Sequence, residues 1–152
     1  MQVGRSDARA FADQAVEAYE AMLRETPTDR GLRFGLARAR YVLADWQVQS
    51  GDPGEGNKEV NRVIELLEGL IAEESGNGQY LLTLARSCDL RAAAEGQQGH
   101  VESALAHNRR VLEILVEATP RMGYTAYLVQ SRRDVLYHVG FQDAGFRPDS
   151  VS

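Results

Sequence analysis

The chain has 152 residues, 43% of them hydrophobic, and a formal net charge of −5 from 17 basic and 22 acidic residues. That length suits one domain with a real core, the apolar fraction argues against disorder, and the acidic balance argues against a general nucleic-acid role. The single cysteine, Cys88, excludes an internal disulfide and fits a reducing compartment.

The opening residues, Met1 to Ala10, are polar and lack the apolar core of a secretory signal. No apolar run approaches the ~20 residues needed to span a bilayer. The expectation is therefore a cytoplasmic protein with no membrane partner.

Ala8, Phe11, Ala12, Ala15, Tyr19, Met22 and Leu23 recur at steps of three and four and predict an amphipathic helix over Ser6–Glu25. Thr26-Pro27 reads as an N-cap followed by proline at the first helical position. The next helix, Thr28–Ser50, is apolar around more of its girth, as Leu36, Ala37, Ala39, Tyr41, Leu43, Ala44, Trp46 and Val48 show. A helix covered on two sides would have that pattern.

Asp52-Pro53-Gly54-Glu55 again reads as a cap, with Glu55 placed to close a capping box. The stripe Val60, Val63, Ile64, Leu67, Leu70 and Ile71 follows. Ser75-Gly76-Asn77-Gly78 is turn chemistry, and Gln79–Gly96 is a second helix that is apolar around more of its girth. After Gln97-Gln98-Gly99 comes the stripe Val101, Ala104, Leu105, Asn108, Leu112 and Leu115. Thr119-Pro120 reads as the cap of a sixth helix, Arg121–Gly140. Short connections make successive helices antiparallel. Residues 1–141 form one domain, and 142–152, with Gly145 and Pro148, form a tail.

The chain also repeats itself. Tyr19-Glu20-Ala21-Met22-Leu23 returns as Leu67-Glu68-Gly69-Leu70-Ile71 after 48 residues and as Leu112-Glu113-Ile114-Leu115-Val116 after a further 45. Leu36-Ala37-Arg38 returns as Leu84-Ala85-Arg86, and Gly51 as Gly99, at the 48-residue step. A period in this range marks a solenoid, whose units bury their apolar faces only against their neighbours.

The run from Leu36 to Asp52, with Leu43-Ala44 followed seven residues later by Gly51-Asp52, resembles the first helix and turn of a tetratricopeptide repeat. The next helix, through Leu66-Leu67-Glu68-Gly69-Leu70-Ile71, resembles that family's second helix. Gly56 and Ala104 stand where the family has a small residue after the turn, while Arg91 and Leu136 stand where it has leucine. The resemblance implies an all-α fold of about six helices, stacked as antiparallel hairpins into a short solenoid. The helices would be one to two turns longer than usual.

Chemistry is sparse. His100 and His107 lie about two turns apart on one helix, too far to share a metal unaided, so neither a metal nor another cofactor is expected. Gly51 to Lys58 has glycines and a lysine. It lacks the strand and the Gly-Lys-Ser/Thr ending of a phosphate loop, and Asp52 and Glu55 would repel phosphate. Cys88 reads as a small core hydrophobe. No serine sits in a nucleophile elbow. These readings point away from an enzyme.

The resemblance assigns the first helix of each pair to a concave groove. Its positions here are Arg38, Tyr41, Asp45 and Gln49, then Arg86, Asp89 and Ala93, then Ser131, Asp134 and His138, with Arg133 at the edge. Arg38 and Arg86 are one repeat apart, and an arginine ladder suits carboxylates of a peptide partner. The bland alternative is that these arginines pair with Asp45, Asp89 and Asp134 and only knit the repeats.

The resulting expectation is a non-catalytic protein- or peptide-binding module, an adaptor, scaffold or sensor within a bacterial-type assembly. The alternative is a small-molecule sensor or enzyme with a pocket among Tyr41, Cys88, Tyr127 and His138. The closing first-type helix carries Tyr124, Tyr127, Leu128, Val135, Val139 and Phe141 with no following partner, so a homodimer through that helix is expected.

Overall fold

Five α-helices run through residues 5–122, which are those that the structure, a computed structural model, describes. They are α1 (Arg5–Glu25), α2 (Arg30–Gln49), α3 (Pro53–Glu73), α4 (Gly78–Gln97) and α5 (Val101–Met122). Among the described residues there is no strand. The expected tail, and all but the first two residues of the expected sixth helix, lie outside the described residues.

The repeat is exact in backbone terms. The second-type helices α3 and α5 begin at residues 53 and 101, and the first-type helices α2 and α4 at 30 and 78, so each of these steps is 48; α1 is described from Arg5. The 45-residue offset read for the third unit is therefore corrected to 48. A three-residue slip is nearly one helical turn, so it preserves the apolar face while losing the register.

The two turns that close first-type helices are built alike. Gly51 and Gly99 adopt φ of 87° and 83°, a left-handed conformation that costs glycine nothing. In each, the following N–H reaches back five residues to a last-turn carbonyl: Asp52 to Gln47 at 2.9 Å and His100 to Glu95 at 2.8 Å. This Schellman geometry explains why the glycine recurs with the repeat.

Two caps differ from expectation. The N-cap of α2 is Asp29, whose carboxylate accepts from Leu32 N–H at 2.9 Å. Thr26 instead finishes α1, its hydroxyl donating to the Met22 carbonyl at 3.3 Å. Asp29 wins because it lies three residues before the first free N–H it can satisfy. At the other end, α5 runs through Thr119 and Pro120 to Met122. A proline keeps helical φ and removes one backbone bond, so it need not end a helix when the residues after it stay helical.

Asp52 caps α3 as expected, accepting from Glu55 N–H at 3.2 Å with Pro53 at the first position. The reciprocal half of the capping box is missing. The Glu55 carboxylate pairs with Lys58 at 2.9 Å, and the Asp52 N–H is already taken by Gln47.

Side-chain pairings fix the packing. Arg33 reaches Glu73 while Gly56 lies against Val48, so α2 and α3 are antiparallel. Arg91 donates to Asn61 at 3.2 Å, and Glu95 lies beside His107, which orders α3, α4 and α5. α2 and α4 lie side by side in the same direction, with Phe34 and Tyr80 ring centroids 5.0 Å apart. α3 is central: Val60, Val63, Leu67 and Leu70 are fully buried and pack with Ala37, Ala44, Leu84 and Cys88. α4 is buried over most of its girth, from Leu81 and Leu84 to Leu90 and Ala94, and leaves one stripe, Gln79, Arg86, Asp89 and Ala93, exposed. No helix among the described residues is long and apolar enough to cross a membrane.

Candidate functional site

The sequence of α2 places a glycine, Gly35, one turn before Ala39 and on the side where α1 arrives. A Cβ at Gly35 would collide with the Tyr19 ring, so its absence lets Tyr19 approach α2 closely. Beside this contact lies a cavity of about 470 Å³ between α1, α2 and the first half of α4. Tyr19 and Ala15 form one wall, and Arg38, Tyr41 and Val42 another. Thr83 and Arg86 come from α4; they are the repeat equivalents of Gly35 and Arg38.

Arg38 and Arg86 are both exposed. The Arg38 guanidinium lies 5.8 Å from the Phe34 ring centroid, and that ring in turn tilts onto Tyr80. A guanidinium held over an aromatic face keeps its edge N–H groups available to an acceptor. Val42 is half exposed, at 50%, which gives the cavity an apolar lip beside its two cations. Such a surface suits a carboxylate flanked by apolar side chains.

Of the groove residues read from the sequence, Arg38, Tyr41 and Arg86 are brought together. Asp45, Gln49 and Asp89 are on the same helices but do not line this cavity. Gln49 is the last residue of α2, beyond the cavity's end. Ala93 is exposed farther along α4. Ser131, Arg133, Asp134 and His138, and the expected dimer residues Tyr124, Tyr127, Leu128, Val135, Val139 and Phe141, lie outside the described residues. Sequence reading missed Tyr19, Gly35, Val42 and Thr83. The Gly35–Thr83 equivalence at 48 residues was the available signal.

Other arginines tie the helices together. Arg40 of α2 bridges Glu20 of α1 and Glu59 of α3; Arg33 pairs with Glu73; Arg110 of α5 reaches Glu68 of α3 at 3.4 Å. Cys88 stands at the Arg40 position of the next repeat and is fully buried in the core. Burial pushes its thiol up, against smaller opposing effects of Arg91 and Arg110. A protonated, enclosed thiol is a poor nucleophile.

His107 stands at the Glu59 position one repeat on. Its Nδ1 lies 2.9 Å from Glu95 Oε2, yet neither atom makes an aligned hydrogen bond. Burial, reinforced by Arg91, holds the imidazole below the usual histidine range, against the opposing pull of Glu95. A lowered folded-state value means that the unfolded chain binds the proton more readily, so this histidine removes stability as pH falls through the unfolded value near 6.5. We expect His107→Gln to lose less stability than the parent between pH 7.5 and pH 5, measured by urea unfolding at each pH. An identical pH profile for the two would contradict this.

Among the described residues no group of three or more histidine, cysteine or acidic side chains could hold a metal. Comparison of the chain with protein-family models, with curated proteins and with solved structures finds no match.

Proposed function

We propose that this chain is a non-catalytic protein-interaction module, a short tetratricopeptide-like solenoid that holds a protein or peptide partner in a concave groove. The observation that carries this reading is the convergence of Arg38 and Arg86, one repeat apart, on one open cavity with Tyr19, Tyr41 and Val42. The partner would be an acidic peptide segment with apolar neighbours, its carboxylates meeting the guanidiniums and its apolar side chains meeting Val42 and the tyrosines. In this reading the protein is an adaptor or scaffold of the cytoplasm that uses no cofactor and binds no nucleic acid, and a homodimer through the closing helix is part of the same proposal.

The alternative, a small-molecule sensor or enzyme with Tyr41 and Cys88 in one pocket, is less well supported. Tyr41 opens to the cavity, whereas Cys88 is sealed in the core and lines none of it.

A photo-cross-linking side chain at Val42 tests the proposal in the native cell. It is expected to capture a discrete protein that the same side chain at Glu65, exposed on α3, does not. Identical adducts from both positions, or copurification of a small metabolite alone, would count against it.

A further inference from the structure

Beyond the cavity the charge along α2 and α4 reverses. One stripe of α2 reads Arg38, Val42 and Asp45, at steps of four and three that keep one side of a helix. Arg38 lines the cavity and Asp45 does not. The seven residues between them span about 10 Å of helix. α4 lies beside α2 in the same direction and repeats the order. Its Arg86 lines the cavity, and Asp89 and Ala93 follow on its exposed stripe. On both helices the arginine precedes the aspartate, so the surface has a cation-to-anion direction, with the half-exposed Val42 between the charges of α2.

We infer that the partner enters this groove as an α-helix, antiparallel to α2 and α4, with a base, an apolar residue and an acid at positions i, i+3 and i+7. That partner is the one proposed above for the same groove, and the inference rests on that proposal. Two neighbouring parallel helices leave a furrow that a ridge of a third helix can fill. Their aligned dipoles favour a third helix of opposite direction. In that direction the base opposite Asp45 comes first, the apolar residue meets Val42, and the acid falls between Arg38 and Arg86. Residues seven apart share one face of a helix, so both charges reach the groove together. In an extended chain the same ~10 Å is three residues, whose side chains point to opposite sides, so one strand cannot present both. Ala93 stands at the Asp45 position one repeat on, and its small side chain leaves a third helix room against α4.

The probe is a fluorophore-labelled, alanine-based peptide of about 18 residues, long enough to form helix, that carries Arg-x-x-Leu-x-x-x-Glu. Fluorescence anisotropy with the full chain is expected to show saturable binding. Asp45→Arg is expected to bind it roughly tenfold or more weakly, because an attraction becomes a repulsion. Replacing the peptide's arginine with glutamate is expected to recover that loss in Asp45→Arg alone. Asp45→Asn, which fits the same space, is expected to weaken binding by a smaller factor with unchanged helical circular dichroism. The reversed peptide, Glu-x-x-x-Leu-x-x-Arg, is expected to bind the parent chain more weakly than the first. Equal affinity for the two peptide orders, or equal affinity of parent and Asp45→Arg, overturns the inference. The groove itself still stands in that case if Arg38→Glu/Arg86→Glu loses the peptide. Absence of saturable binding by either peptide also overturns the inference, and capture at Val42 then judges the groove separately.

Discussion

Replacing Arg40 with alanine is expected to destabilise the fold by ~3 kcal/mol or more, the scale seen when one member of a buried ion pair is removed. Both side chains of the central pair are largely shut off from water, with 14% of Arg40 and 9% of Glu59 exposed. Without the guanidinium, Glu59 retains only Arg62, 3.4 Å away on an exposed side chain. The desolvated carboxylate is then poorly compensated, and Glu20 of α1 loses its tie to α2 as well. The second repeat shows that the ion pair is not the only solution, because Cys88 and His107 occupy the same two places. Arg40→Met with Glu59→Met is therefore expected to recover most of the loss, since well-packed apolar replacements of buried pairs are often neutral. Urea unfolding of the single and double variants checks this through the midpoint, with the slope unchanged. A loss under ~1 kcal/mol for Arg40→Ala, the range of exposed pairs, would show that the bridge is solvated.

Leu67→Ala is expected to cost ~2–5 kcal/mol, the transfer term plus the cavity left behind. Leu67 is fully buried at the centre of α3, between α2 and α4, and neither neighbour can collapse into the space without moving a whole helix. Against a typical domain stability of ~5–15 kcal/mol this is a large fraction. The same position in α1 is Tyr19, half-buried because among the described helices α2 is the one that α1 packs on closely. Tyr19→Ala is accordingly expected to cost less than Leu67→Ala, although a larger side chain is removed. The reverse order would mean that α1 is covered by something other than α2.

Much of the architecture was legible because it is periodic. Apolar steps of three and four residues fixed the helical class, and Gly51 and Gly99 located the turns because only glycine takes their backbone conformation without cost. Arg38 and Arg86 could be paired by arithmetic alone. What escaped was set by competition or by neighbours. Thr26-Pro27 and Asp29 both look like helix starts, and only the Leu32 N–H decides between them. Thr119-Pro120 has the chemistry of a cap, yet α5 passes through it. Asp45 and Gln49 share a helix with Arg38, but a periodic rule does not say where along a groove the cavity ends. Tyr19 was read as a core residue of a second-type helix. It became a cavity wall because α1 has no first-type helix before it among the described residues, and because Gly35 leaves room for its ring.

The central claim is that the Arg38–Arg86 cavity holds the partner. Its most direct test is the affinity of the partner captured at Val42 for the parent chain and for the Arg38→Glu/Arg86→Glu variant. The account predicts an intact helical circular dichroism spectrum and binding weaker by ~2 kcal/mol or more, roughly thirtyfold, because two charge-assisted contacts become repulsions. Unchanged affinity in a fully helical double variant would contradict it.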